Sequence, residues 1–142
     1  MPRAYAHYQV SLKLLLKRGR SVLLLRLTSN NCWDLPGGRI DAVEGRTPLE
    51  KILAREIREE LGPTLRYQLG QPLFQFRRWV PVFHTYNFLT VYAGKYLRGD
   101  VRLSPEHRSW QWLNPRQHRF RLRDFMSQEE YRAFLRYFGR QP

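Results

Sequence analysis

The segment from Leu49 to Leu61, bounded by Pro48 and Gly62, sets the strongest constraint on the fold. Wound as a helix at about 100° per residue, it places Leu49, Ile52, Leu53, Ile57 and Leu61 on one stripe. Glu56 and Glu60 fall inside that stripe and Glu59 at its edge, while Lys51 and Arg58 take the opposite face. The apolar stripe must lie on a packed surface, and the carboxylates must go with it. Carboxylates turned toward an apolar face are costly unless paired or bound to a cation, and they repel one another. A divalent cation removes both objections. The alternative is a solvated face with Arg55 and Arg58 in ordinary ion pairs. Thr47 is expected as the N-cap, with Pro48 at the first helical position and Glu50 completing a capping box. Gly62 and Pro63 should end the helix.

The loop ahead of this helix points the same way. Pro36-Gly37-Gly38 allows backbone to approach a ligand closely. Arg39, Asp41, Glu44 and Arg46 follow, and backbone N–H groups with basic side chains near a helix N-terminus can hold phosphate. Gly37, Gly38 and Arg39 are therefore candidate ligand-binding positions. Charge is distributed accordingly. The chain carries a net charge of +13, yet seven of its 12 acidic residues lie between Asp34 and Glu60. Carboxylate oxygens gathered in this way suit a hard cation. The remaining basic excess favours anionic partners such as nucleotides, nucleic acid or an acidic surface.

Other functions are excluded more simply. No apolar run approaches the roughly 20 residues of a membrane-spanning helix, so no membrane partner is expected. A single cysteine, Cys32, excludes an internal disulfide and a multi-cysteine zinc site. The N-terminus lacks the apolar core of a signal peptide, and a cytoplasmic location is expected. With 142 residues, the chain is expected to form a single domain, 1–142. Nothing in it sets an oligomeric state.

The remaining elements read as strands followed by a second helix. Residues 7–16 and 21–27 suggest a hairpin around a polar turn at 17–20. Residues 32–35 form a short extended piece. Residues 64–79 suggest a strand broken at Gly70-Gln71-Pro72, residues 82–96 a long strand and 110–113 a short one. Residues 127–138 suggest a helix with Ser127 as N-cap and Gly139 as stop. Its Tyr131, Phe134, Leu135 and Phe138 make a core stripe. The order implies a mixed α/β arrangement around a largely β core.

With these residues in view, the sequence resembles the Nudix hydrolase family, whose box reads Gly-x5-Glu-x7-Arg-Glu-U-x-Glu-Glu-x-Gly-U, with U aliphatic. Arg55-Glu56-Ile57-Arg58-Glu59-Glu60-Leu61-Gly62 matches its second half, and Pro63 replaces the final U. Gly38 and Glu44 match the first half, and residues 33–38 resemble its lead-in. Ten residues separate Glu44 from Arg55 where the family has seven. A second alignment sets Gly45-Arg46-Thr47-Pro48 on the family's frequent Gly-Glu-Thr-Pro, with Arg46 in the glutamate's place.

The resemblance implies an α+β fold, an α/β/α sandwich with a mixed sheet. It implies Glu59 and Glu60 as main metal ligands, and Glu56 as a ligand or as base for the attacking water. Arg55 would orient carboxylates, and Gly38 would supply the backbone turn. It implies Mg2+, with Mn2+ as a substitute, and hydrolysis of a phosphoanhydride in a nucleoside diphosphate derivative or nucleoside triphosphate. Glu106 matches a further glutamate that many members carry in a loop reaching the metals; the alternative is a surface acid or helix cap.

Two other functions stay open: removal of pyrophosphate from an RNA 5′ end, and a catalytically silent nucleic-acid-binding or regulatory module. Arg77-Arg78-Trp79 and Arg119-Phe120-Arg121-Leu122-Arg123 interleave bases with aromatics, but simple amphipathic alternation is preferred and a small nucleotide is the expected substrate. Arg3, Tyr5, Phe83 and Tyr86 are candidates to hold a base or phosphate. His7, His84, His107 and His118 show no metal-ligand spacing and are expected to be structural or exposed. Asp34 is expected to be a loop hydrogen-bonder, and Cys32 a small core residue.

Overall fold

The computed structural model describes residues 1–139. Strands β1 (Gln9–Arg18) and β2 (Ser21–Leu27) form the expected hairpin. The turn is only Gly19-Arg20, because Lys17 and Arg18 still pair with Val22 and Ser21, and Gly19 takes the left-handed φ of +61° that so tight a turn needs. Beyond that point the two strands part. Strand β4 (Gly37–Arg39) takes the edge of β1, pairing Gly37 with Lys13 and Gly38 with Leu12, while β3 (Trp33–Asp34) pairs with β2. The two glycines thus lie in a strand rather than in the loop the sequence suggested.

On its other side β1 runs parallel to β6 (Thr85–Arg98), which pairs antiparallel with β5 (Arg66–Val80); β7 (His107–Leu113) lies against β2. The sheet order is β3-β2-β1-β6-β5, with β4 and β7 attached at its flanks. The expected break at Gly70-Gln71-Pro72 is a register shift within β5, since proline has no N–H to give the ladder.

Both faces of the sheet are covered, which explains the near-continuous leucines of β1 and β2. Leu12, Leu14, Leu16, Leu23 and Leu25 pack with Ile52, Leu53, Ile57 and Leu61 of α1 (Leu49–Leu61). Leu15, Val22 and Leu24 face the opposite way, with Phe134 and Leu135 of α2 (Gln128–Tyr137). This is the expected α+β sandwich with a mixed sheet. Ser127 caps α2, its hydroxyl accepting the Glu130 N–H at 3.1 Å. Thr47 does not cap α1: its N–H donates to the Glu44 carbonyl at 3.0 Å, so it belongs to the preceding turn and Pro48 takes the cap position. Leu49, placed on the buried stripe by its angle, is 47% exposed in the helix's first turn. No helix among the described residues is long and apolar enough to cross a membrane.

Candidate active site

The site lies where β1 and β2 separate, against the second half of α1. Gly37 and Gly38 bring backbone to the helix there. The Gly37 N–H donates to Glu60 Oε2 at 2.8 Å, and the Gly37 carbonyl accepts from Lys13 Nζ at 3.1 Å. A Cβ on Gly37, at φ +132°, would fall on the Leu12 carbonyl, and one on Gly38 would fall on the Glu56 carboxylate. Both glycines therefore make room, one for the neighbouring strand and the other for a carboxylate.

Glu60 is buried as the helical angle required. Burial pushes its carboxyl up to about 7, against the pull of Lys13 and the Gly37 N–H. Half-buried Glu56 is pushed up by desolvation as well, with Arg55 opposing. Glu59 is exposed and turns toward Arg55, whose Nη1 donates to it at 3.1 Å. Arg55 takes Glu44 as its partner. Its Nε and Nη2 donate to the two oxygens of Glu44 at 2.7 and 2.6 Å, a fork-to-fork pair, and Nη2 lies 3.0 Å from Glu56 Oε1.

Glu106 comes from the turn before β7 to the same place. Carboxylate oxygens of Glu60 and Glu106 and a ring nitrogen of His107 lie within 4.8 Å of one another. A cleft of about 400 Å3 joins Glu56, Glu60 and Glu106 to Gly37, Gly38 and Arg39. Of the predicted residues, Glu56, Glu60, Glu106, Gly37, Gly38 and Arg39 line this cleft, while Arg55 and Glu59 pair with each other and do not line it.

Sequence reasoning missed the buried polar network behind this cleft. Asp34 is 4% exposed, accepts from Lys13 Nζ, and contacts His107 Nε2 at 3.0 Å. Its burial would raise its carboxyl, but Lys13, His107 and Arg78 outweigh that and hold it well below the usual range. Arg78, read only as part of an alternating basic and aromatic run, turns inward and donates to both oxygens of buried Glu130 on α2, at 2.9 and 3.0 Å. His107 is structural in its Asp34 contact, but it is also part of the metal-capable group. The available signal was Lys13, a lone charge within a run of leucines.

The family model for the NUDIX domain matches residues 7–138, nearly the whole chain. The chain belongs to the Nudix family of hydrolases. Among solved structures, the Nudix fold here is similar to a MutT protein from Methanosarcina mazei Go1, with 25% identity, TM-score 0.74, and coverage of 96% of this chain and 97% of that one. A MutT Nudix hydrolase from Burkholderia pseudomallei gives 22% identity and TM-score 0.71, covering 90% and 96%. An ADP-ribose pyrophosphatase from Streptococcus suis 89-1591 gives 14% identity and TM-score 0.61, covering 90% of each chain. No curated protein sequence matches the chain.

Proposed function

We propose that this Nudix protein hydrolyses a phosphoanhydride bond in a nucleoside diphosphate derivative or nucleoside triphosphate, with Mg2+ as its metal and Mn2+ as a substitute. One observation carries the reading: Glu56, Glu60 and Glu106 line one cleft together with the Gly37-Gly38 backbone and Arg39. Carboxylate oxygens are the donors Mg2+ takes, and buried Glu60, pushed up to about 7, is a group whose ionised form a cation would favour. Pyrophosphatase chemistry in the ADP-ribose-cleaving neighbour supports the same bond class.

When bound, Mg2+ neutralises the diphosphate and makes water a better nucleophile. Glu60 and Glu106 would hold the metal, with Glu56 beside them in the cleft and Glu59 able to join them only by leaving Arg55. Glu56 takes the proton from the attacking water, a role its desolvated carboxylate suits. The water oxygen bonds to phosphorus as the bridging P–O bond breaks, and the leaving phosphate carries away the electron pair. Arg55 fixes Glu56 while its other edge is held by Glu44. Arg39 supplies a cation for phosphate. The buried Cys32 suits a reducing compartment, and we place the enzyme in the cytoplasm.

The test is a panel of nucleoside triphosphates and diphosphate-linked nucleotides with Mg2+ or Mn2+, read by product mass. Metal-dependent cleavage between phosphates is expected, and Glu60→Gln should abolish it. No turnover on any member with either metal would sink the reading.

A further inference from the structure

His107 reaches Glu60 and Glu106 through an irregularity in the sheet. Strand β7 pairs with β2 residue by residue from Leu113 back to Ser109, which lies opposite Arg26; the next pair is Leu27 with His107. Arg108 is therefore an extra residue, a bulge. Side chains directly opposite share a face of the sheet, so the bulge gives His107 the face of Leu27, Leu25 and Leu23. That face is covered by α1, the helix that carries Glu60. In unbroken register Arg108 would stand there instead. Glu106 lies in the turn just before the strand, its carbonyl accepting the Thr28 N–H at 3.0 Å.

His107 is only 4% exposed. Its Nε2 lies 3.0 Å from Asp34 Oδ2, and its Nδ1 is buried with no hydrogen-bond partner among the described residues. Lys13 Nζ at 3.2 Å and Arg78 Nη2 at 3.8 Å from Asp34 Oδ1 keep that carboxylate ionised, so it can only accept. Nε2 then carries the ring proton, and the other nitrogen of the neutral imidazole holds a bare lone pair. A buried acceptor left unpaired is costly. A ring nitrogen of His107 lies within 4.8 Å of carboxylate oxygens on both Glu60 and Glu106, which are acceptors too. Acceptors cannot satisfy one another, whereas a cation satisfies all three. A carboxylate that grips one ring nitrogen is also the usual support of a metal-bound imidazole.

We propose that His107 is a nitrogen ligand of the metal, joining Glu60 and Glu106 through the ring nitrogen that Asp34 leaves free. The proposal rests on the metal-dependent reading of this cleft and names the ligand that sets its ion preference. Mg2+ takes oxygen donors and keeps its waters, so it gains little from an imidazole. Co2+ gains more, because it stands later in the first transition row and suits nitrogen. The site therefore favours Co2+ over Mg2+ by a margin that depends on His107. Asp34, held in turn by Lys13, fixes the tautomer from behind.

The test uses the full metal-free chain with Mn2+, Co2+ and Mg2+ as probes. Pulsed electron paramagnetic resonance of bound Mn2+ is expected to show coupling to a directly bound nitrogen. Histidine labelled with the heavy nitrogen isotope should change that coupling to the isotope's own pattern in the parent. His7, His84 and His118 do not belong to the metal-capable group, so the pattern reports His107. His107→Gln, whose amide can still donate to Asp34, should abolish the coupling. It should also weaken Co2+ binding about tenfold or more, read by displacement of Mn2+, and Mg2+ binding by less than about threefold. A merely structural histidine would weaken both ions alike. Equal losses, no Mn2+ binding, or no histidine coupling in the parent would overturn the proposal. If the variant does not fold, the labelled parent decides. If the coupling is present but no nucleotide is cleaved, the hydrolase reading falls and the ligand stands.

Discussion

Gly37 and Gly38 are adjacent, but they are required for different reasons. At Gly37 the obstacle to a side chain is the backbone of β1, joined to a positive φ. Gly37→Ala should therefore cost about 2 kcal/mol or more in urea unfolding. At Gly38 the obstacle is the end of the Glu56 side chain, which can swing aside. Gly38→Ala should keep a Tm near the parent's while turnover falls about a hundredfold, because the displaced carboxylate is the one assigned to the water. Unchanged turnover with a normal fold would remove Glu56 from that assignment. Glu60 gives a pH prediction. Its folded carboxyl titrates at about 7, above an unfolded value of 4.5. Protonated Glu60 thus favours the folded state, and this contribution is full below pH 4.5 and lost as pH rises through 7. In the metal-free protein, Glu60→Gln should match the parent at pH 4.5 and exceed it above pH 7 by on the order of 3 kcal/mol, or several degrees of Tm. A gap that is constant with pH would contradict this.

At the scale of elements, Arg78 ties β5 to α2 through Glu130, whose carboxyl burial pushes up even against the opposing pull of Arg78. Arg78→Met strands a buried carboxylate and should cost about 3–5 kcal/mol in urea unfolding, whereas Arg78→Met/Glu130→Gln should recover most of that. A double variant no more stable than the single one would mean that the arginine stem, not the ion pair, holds the helix. This pair also marks the limit of what the sequence could convey. The α1 stripe was legible because one helix carries its own periodicity, and Glu60 was located by angle alone. The α2 stripe was legible for the same reason. The Lys13–Asp34–His107–Arg78 network was not, because its members come from four strands and no local spacing relates them. The inward turn of Arg78 was not legible either, because strand alternation says that 77 and 79 face opposite to 78, but not which face is outside. Thr47 looked like a cap because its type and position suited one, but its N–H closes the preceding turn on the Glu44 carbonyl.

For the molecule as a whole, charge is the dominant feature. Self-repulsion within a chain of +13 opposes the compact state, while its important ion pairs are buried and poorly screened. Tm should accordingly rise by several degrees between low salt and roughly physiological ionic strength, where the screening length is about 8 Å. A fall would mean that exposed pairs, not repulsion, control the balance. The parallel pairing of β1 with β6 has a further consequence in time. Gln9 to Lys17 find their partners only at Asn87 to Lys95, so β1 must wait until β6 is available. Hairpin β1–β2 and the glycine strand can dock early, leaving one edge of β1 open until β6 arrives. Closure of that long loop is the slow event in folding, and the cleft, whose walls come from both sides of it, is among the last parts of the protein to exist.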